Sequence, residues 1–236
     1  MNWQNFWQDY PVRMNDLDPF QQVGKTVNGT AISPEQYECL LNDILTKLNL
    51  SKKDNLLDLC CGNGLITSSL SQHVQKTVGI DFSAPLIQNA NQNNLSENVE
   101  YILSDVKNLS EYEIKYEQKF DKVLCYEALA FFDEDDLKGL LLDLKKIISP
   151  DATVLIASVL DKGCKSNFYN TWRRKIKGLI LKLKRSDPGL GKWWDMKKFK
   201  SIATSSGYLC TVLNQNCFLH TAHYRKDIVL NLKNDK

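Results

Sequence analysis

The sequence predicts a doubly wound α/β fold in which a mostly parallel sheet is covered by helices on both faces. Three observations carry this. Short apolar runs alternate with longer segments of helical spacing from residue 34 to residue 160; a glycine turn, "CCGNG", joins the first run to its helix; and the tail closes on two strand-like runs with no helix between them.

Taken in order, "SPEQYECLLNDILTKL" (33–48) is a helix with Ser33 as N-cap and Pro34 at the first helical position. "NLLDLC" (55–60) is a short buried strand stopped by Gly62 and Gly64, and "LITSSLSQHV" is the helix after it. "KTVGID" (76–81) is a strand, Ser83 caps the helix "APLIQNANQN", and "VEYILSD" (99–105) and "FDKVLCYE" (120–127) are strands. "DEDDLKGLLLDLKKII" (133–148) opens on acids and closes on basic residues, as the helix dipole favours, with Pro150 marking its end before a fifth strand, "DATVLIASVL" (151–160). "DMKKFKSIATSSG" (195–207) is a helix with Asp195 as candidate N-cap and Gly207 just past its end, and "YLCTVLNQN" and "HYRKDIVLNLK" form an antiparallel strand pair. No internal repeat interrupts this order.

Composition narrows the classes of function. With 236 residues, 43% hydrophobic and 25% charged, the chain has enough apolar material for one large core and is not disordered. A net charge of +2 implies no polyanionic partner, so basic function must come from local clustering. The start "MNWQNFWQDYPVRMND" has no basic region followed by an apolar stretch, and no run spans a bilayer, so a soluble, cytoplasmic protein is expected. Seven scattered cysteines point to reduced thiols. Cys60 and Cys61 are adjacent, without the spacing of a redox pair or a zinc knuckle, so they are expected to pack beside the turn, and no metal site is expected. His73 is read as solvated, while His220 and His223 stand by the last strand with no third metal ligand and leave a general base open.

The turn itself suits an anion, because a helix N-terminus follows a glycine loop. The third glycine of a dinucleotide fingerprint is missing, however, and Asp58 lies on the strand just before the turn, where a carboxylate disfavours a pyrophosphate. A ligand with an ammonium group beside a nucleoside meets both demands. Asp81 stands nineteen residues after Gly62, where an acid that takes ribose hydroxyls is expected, and Ser104 and Asp105 end the third strand. The bland alternatives are a surface acid at Asp58, a helix cap at Asp81 and a core residue at Phe82.

With "DLCCGNG", "GIDFS" and "LSDV" in this order, the chain resembles the class I S-adenosylmethionine-dependent methyltransferases over about residues 35–160. The resemblance implies a Rossmann-like sheet of seven strands, the last antiparallel and inserted beside the fifth, and S-adenosyl-L-methionine as cofactor. It implies that Asp58, Gly62 and Gly64 line the methionine part, Asp81 the ribose and Phe82 the adenine face, that Asp105 reaches the adenine amino group, and that Cys60, Ser104 and Val106 also stand among the cofactor-binding residues. Tyr126 then lies near the sulfonium, and Glu127 is a candidate base or an acceptor- or cofactor-orienting group, with His223 as a second candidate base. "CYEALAFFDED" lacks both the Asn/Asp-Pro-Pro-aromatic motif and the Pro-Cys nucleophile of nucleic-acid methyltransferases, so DNA is not an expected substrate.

Residues 1–33 are expected to form a lid segment, with 10–28 closing over the cofactor and acceptor, ahead of a methyltransferase domain at 34–236. The competing reading has Trp3, Phe6, Trp7 and Tyr10 merely covering an edge of the core. A basic insertion at 162–194 carries an amphipathic helix with Trp172, Ile176, Leu179, Ile180 and Leu183 on one stripe and Arg173, Arg174 and Lys177 among its charges. It either packs on the core, caps an anionic acceptor, or offers residues 169–185 to a membrane surface or RNA. The tail "HTAHYRKDIVL" resembles, more loosely, methyltransferases encoded with bacterial polysaccharide enzymes, which favours a small-molecule acceptor with a sugar or sugar-nucleotide hydroxyl. The alternatives are an RNA or protein methyltransferase and a non-catalytic cofactor-binding regulatory or scaffold protein.

Overall fold

In the β-runs, residues alternate between two faces, and the helices that cover those faces follow from the same pattern. The computed structural model describes residues 3–14, 18–107, 109, 119–169, 172, 176, 180 and 190–233. In chain order the elements are α1 (Trp3–Arg13), α2 (Pro19–Gln22), a small ribbon of β1 (Thr26–Val27) and β2 (Thr30–Ala31), and α3 (Pro34–Leu48). There follow β3 (Asn55–Leu59), α4 (Leu65–Ser71), β4 (Lys76–Asp81), α5 (Ala84–Asn93), β5 (Val99–Leu103) and β6 (Phe120–Tyr126). The last group is α6 (Glu134–Ile147), β7 (Ile148–Leu160), α7 (Lys165–Phe168), α8 (Met196–Ser205), β8 (Tyr208–Asn214) and β9 (Arg225–Leu232).

Seven strands form one sheet in the order β5-β4-β3-β6-β7-β9-β8, parallel from β5 to β7 and antiparallel at β9, which lies between β7 and β8. The strand order reverses between β4 and β6, on either side of β3, so the carboxyl end of β3 is where such sheets open a crevice. Leu57, Leu59, Val123, Cys125, Val154 and Ile156 face the α6 and α8 side, packing with Leu137, Leu141, Leu144 and Phe199. Leu56, Leu124, Leu155 and Ala157 face the other side, against Leu40, Ile44 and Leu48 of α3 and Leu70 of α4. Each fully buried leucine contributes about 1.5–3 kcal/mol, and both faces are covered by such residues.

The caps match the sequence at Ser33, whose Oγ accepts from the Gln36 N–H, and at Asp195, with Gly207 just past the end of α8 at φ 89°; Asp133, read only as one of the acids that open α6, forms a reciprocal capping box with Asp136. Ser83 differs. It makes no capping bond to α5; its Oγ donates instead to the Trp7 carbonyl, tying α1 to the sheet. Pro150 differs too, lying inside β7 instead of ahead of it. Pairing with β6 runs Phe120 to Ile148 and then skips to Lys122 and Thr153, so Pro150 falls in the irregular stretch, where no ladder N–H is needed.

Most of the basic insertion lies outside the described residues, including Arg173, Arg174, Lys177, Leu179 and Leu183. Trp172, Ile176 and Ile180 are 67%, 49% and 45% exposed, so these three do not pack on the core as the stripe reading expected. His73 is exposed, and all seven cysteines are unpaired. Among the described residues no helix is long and apolar enough to cross a membrane, and no group of ligating side chains suits a metal.

Candidate functional site

The chain leaves β3 through a turn that only an unusual backbone can make. Cys60, Gly62 and Gly64 have φ of 58°, 59° and 76°, the left-handed region, and the run ends with Gly64 capping α4. Tyr101, on β5, lies beneath Gly64 and donates from its hydroxyl to the Gly64 carbonyl at 3.2 Å and the Asn94 carbonyl at 2.9 Å. A methyl group at residue 64 would approach within 2.6 Å of the Tyr101 ring. Glycine is therefore required here for space as well as for φ.

Above the turn is a cavity of about 340 Å³. Asp58, Cys60, Gly62, Asp81, Phe82, Asp105, Val106, Tyr126 and Glu127, all singled out in the sequence, line it. Gly64 and Ser104 do not: Gly64 shapes the turn from behind, and the Ser104 N–H donates to the Asp81 carbonyl at 2.9 Å, fixing the end of β5 against β4.

Asp81 is buried. Its Oδ2 accepts from the Gly62 N–H at 2.9 Å and its Oδ1 from the Ser83 N–H at 2.8 Å, so it joins the turn after β3 to the start of α5. Both oxygens keep a lone pair for a ligand. Burial pushes its carboxyl up to about 6, against those two N–H groups. Asp58 is buried more deeply and accepts one short hydrogen bond, 2.6 Å from Thr67 Oγ1. Burial, with Asp81 nearby, raises it to about 7 although Thr67 and Lys25 oppose the rise. The fold thus holds two carboxyls poised near neutrality, and an incoming cation would favour their ionised forms.

The opposite wall comes from the N-terminal segment. Trp3, Gln4 and Trp7 of α1, with Val23 and Lys25, line the cavity. Gln8 donates to the Phe82 carbonyl at 3.0 Å and Ser83 to Trp7, while Trp3 and Trp7 pack on Phe131 with centroids at 4.6 and 5.9 Å. The cover therefore begins before residue 10. Tyr10 is engaged elsewhere, donating to the Gln21 carbonyl at 3.0 Å.

A second cavity, of about 280 Å³, adjoins the first and shares Lys25, Tyr126 and Glu127 with it. Its walls include Ile32, Leu40, Phe168 and Leu219, and its polar groups include Lys25, Gln36, Glu127, His220, Thr221, Tyr224 and Arg225. Glu127, at φ 60° just past β6, is held from both sides: Lys25 Nζ lies 3.0 Å from Oε2, and Arg225 Nη1 2.9 Å from Oε1. Lys25 and Arg225 are 8% and 12% exposed and Glu127 29%, so little water screens the cluster. Burial alone would raise the Glu127 carboxyl, but Lys25 and Arg225 outweigh it and hold it at about 2. A carboxylate of that strength is a poor proton acceptor at neutral pH. Its geometry suits positioning. Lys25 also lies 4.0 Å from the Tyr126 ring centroid, and Ser158 bonds both Glu127 and Arg225.

His223 is not brought to either cavity; its ring is exposed beside Tyr224 and its carbonyl accepts from Asn167. His220, three residues earlier, is exposed as well but lines the second cavity. The sequence did not single out Arg225, Thr67 or Gln36. Their contacts with Glu127, Asp58 and His220 cross from 9 to 184 residues of chain, and no local pattern announces them.

Residues 56–151 match the family model described as a methyltransferase domain. Over 112 residues, 46% of this chain, the sequence is 32% identical to the 23S rRNA (uracil(1939)-C(5))-methyltransferase RlmD of Histophilus somni. Over 90 residues, 38% of this chain, it is 39% identical to the uncharacterized methyltransferase C70.08c of Schizosaccharomyces pombe. The chain spans only 24% and 33% of the lengths of these two relatives. Among solved structures, an S-adenosylmethionine-dependent methyltransferase from Anabaena variabilis aligns with a TM-score of 0.64 at 16% identity, covering 99% of this chain and 96% of that one. A DhpI complex with SAM and HEP aligns with a TM-score of 0.63 at 15% identity, covering 97% and 95%. At such identities the likeness is one of fold.

Proposed function

We propose, taking residues 56–151 as the methyltransferase domain they match, that the first cavity binds S-adenosylmethionine and that the chain directs its methyl group onto a small-molecule acceptor held in the second. One observation carries the reading: a glycine turn, Asp58, Asp81 and Asp105 from three adjacent strands meet in a cavity that shares Lys25, Tyr126 and Glu127 with a second cavity. The residues fit such a cofactor. Asp58 suits an ammonium group, the spare lone pairs of Asp81 suit two ribose hydroxyls, and Phe82, Leu86 and Val106 offer apolar surface to an adenine. When bound, the cofactor supplies an activated methyl on a sulfonium.

The chain's own part is to hold the acceptor in line and exclude water. Trp3, Trp7 and Phe131 wall off the cofactor side, and the Lys25–Glu127–Arg225 cluster fixes polar groups at the junction. A cavity of about 280 Å³ suits a small acceptor, and its mixture of apolar walls with polar groups supports a hydroxyl on a sugar or sugar-nucleotide-like compound. Unpaired thiols support a reducing, cytoplasmic setting. The similarity to RlmD supports RNA as a second reading. Labelled methyl transfer into a lysate of the producing cell separates the two: label in a low-mass fraction is the expected outcome, and label confined to RNA overturns the small-molecule reading.

A further inference from the structure

We propose that His220 takes the proton of the acceptor hydroxyl, and that Gln36 holds it in the one neutral tautomer whose Nε2 is free to do so. This rests on the second cavity being the acceptor's place. The argument starts from the orientation of an amide. Gln36, in the first turn of α3, donates from Nε2 to the Phe218 carbonyl at 2.6 Å and accepts at Oε1 from the His220 backbone N–H at 3.0 Å. Reversing the amide would set donor against donor and oxygen against oxygen, so Oε1 must face His220. The same Oε1 lies 3.2 Å from His220 Nδ1. Amide oxygen has no hydrogen to give, so Nδ1 carries the proton, and in the neutral ring the lone pair is on Nε2.

The surroundings keep the ring neutral. Although His220 is exposed at its outer edge, partial burial lowers its affinity for a proton, and Arg225 on β9, Lys25 just before the ribbon and His223 in the same turn lower it further, while Glu127, after β6, opposes them. The other groups at the junction are unsuited or engaged: Glu127 is held at about 2, Lys25 is ion-paired to it, and burial drives the Tyr126 phenol well upward. Asp58 lies on the cofactor side and is engaged by Thr67.

The step balances. As the acceptor oxygen bonds to the methyl carbon, its O–H bond breaks and the proton passes to Nε2; the carbon–sulfur bond breaks with its electron pair going to sulfur, and the imidazolium later releases its proton to water. An acceptor already ionised at neutral pH, such as a carboxylate, needs no such base. The proposal therefore assigns the acceptor to unionised hydroxyls.

Two measurements test it on the full chain. Two-bond ¹H–¹⁵N correlation spectra of histidine-labelled protein, with three histidines assigned through His220→Gln, should show His220 as the Nδ1–H tautomer; Nε2–H as the main form overturns the proposal. Transfer of labelled methyl to a low-mass extract of the producing cell should fall about 10²-fold or more in His220→Gln, with unchanged S-adenosylhomocysteine binding and circular dichroism. At S-adenosylmethionine concentrations that saturate the cofactor site throughout the pH range, the acid limb of the wild-type pH–rate profile should vanish in that variant, and in Gln36→Glu it should move to higher pH, since a carboxylate beside Nδ1–H raises the ring's proton affinity. Wild-type rates in His220→Gln refute the base and leave the methyltransferase reading intact. Absence of transfer by the wild type, or of cofactor binding, removes that reading and this proposal with it.

Discussion

Cofactor affinity should rise steeply with pH, because Asp58 binds a cation only when ionised and its carboxyl stands at about 7 in the free chain. From that value about one molecule in eleven is ionised at pH 6 and about ten in eleven at pH 8, so affinity should grow about tenfold, or about 1.4 kcal/mol. Asp81, at about 6, adds about a further factor of two at the acid end. Calorimetric titration with S-adenosylhomocysteine, whose ammonium is charged throughout, reads this directly; at pH 6 the binding heat should vary with the buffer because about one proton is released. Adenosine, which lacks the ammonium, should show only the smaller Asp81 component. Asp58→Asn keeps the shape and a partner for Thr67, and should abolish the tenfold rise. The same substitution should stabilise the free chain: a folded carboxyl raised above its usual 3.8 destabilises the fold only once pH climbs from about 4 through about 7. Thermal unfolding of Asp58→Asn should therefore match the parent near pH 4 and exceed it at pH 8. Equal affinity from pH 6 to 8, or an unaltered rise in the variant, would refute the assignment of Asp58 to the ammonium.

Three further outcomes follow from the same geometry. Lys25→Met should cost about 2 kcal/mol in urea unfolding at pH 7, below the usual figure for a broken buried pair because Arg225 stays on Glu127. As Glu127 is held below its ordinary 4.5, the stability it lends is complete above about 4.5 and fades as pH falls toward 2, and this acid loss should be smaller in the variant. Gly64→Ala should cost about 1–3 kcal/mol, through the left-handed backbone and the Tyr101 ring, with a matching fall in melting temperature. Removing residues 1–14 should speed S-adenosylhomocysteine release in stopped-flow fluorescence much more than it lowers the melting temperature, since Trp3 and Trp7 wall the first cavity and Pro11 is the buried residue of α1.

Most of the fold was legible because its signals are local. The runs ending at Leu59, Asp81, Leu103 and Tyr126 are apolar on both faces, as strands buried in a parallel sheet must be, and Ser33, Asp133 and Asp195 cap the helices they precede. Pro150 misled, because a proline is excluded from a regular ladder yet permitted where two strands slip register. The acids that line the first cavity were legible for the same local reason: they occur at the ends of consecutive strands. The second cavity was not. Lys25 and Glu127 meet across 102 residues, and Gln36 and His220 across 184, so nothing short of the folded sheet brings them together. Within "HTAH" the spacing does not say which histidine faces inward; the Gln36 amide decides it for His220.

The insertion of β9 between β7 and β8 sets an order of assembly. Every strand of the cofactor half is made by Leu160, and each pairs with a neighbour in that half. β8, though made earlier than β9, pairs only with β9 within the sheet, so it waits for the later strand before it can join. The pairing of β9 with β7, which joins Leu160 to Arg225 and Thr153 to Asn231, is of the long-range kind that folds slowly. Arg225 arrives with β9, so until then Glu127 has only Lys25 as its counterion. A chain stalled before this last docking would have a complete glycine turn beside an unfinished second cavity, and on the proposed reading would capture the methyl donor without being able to spend it.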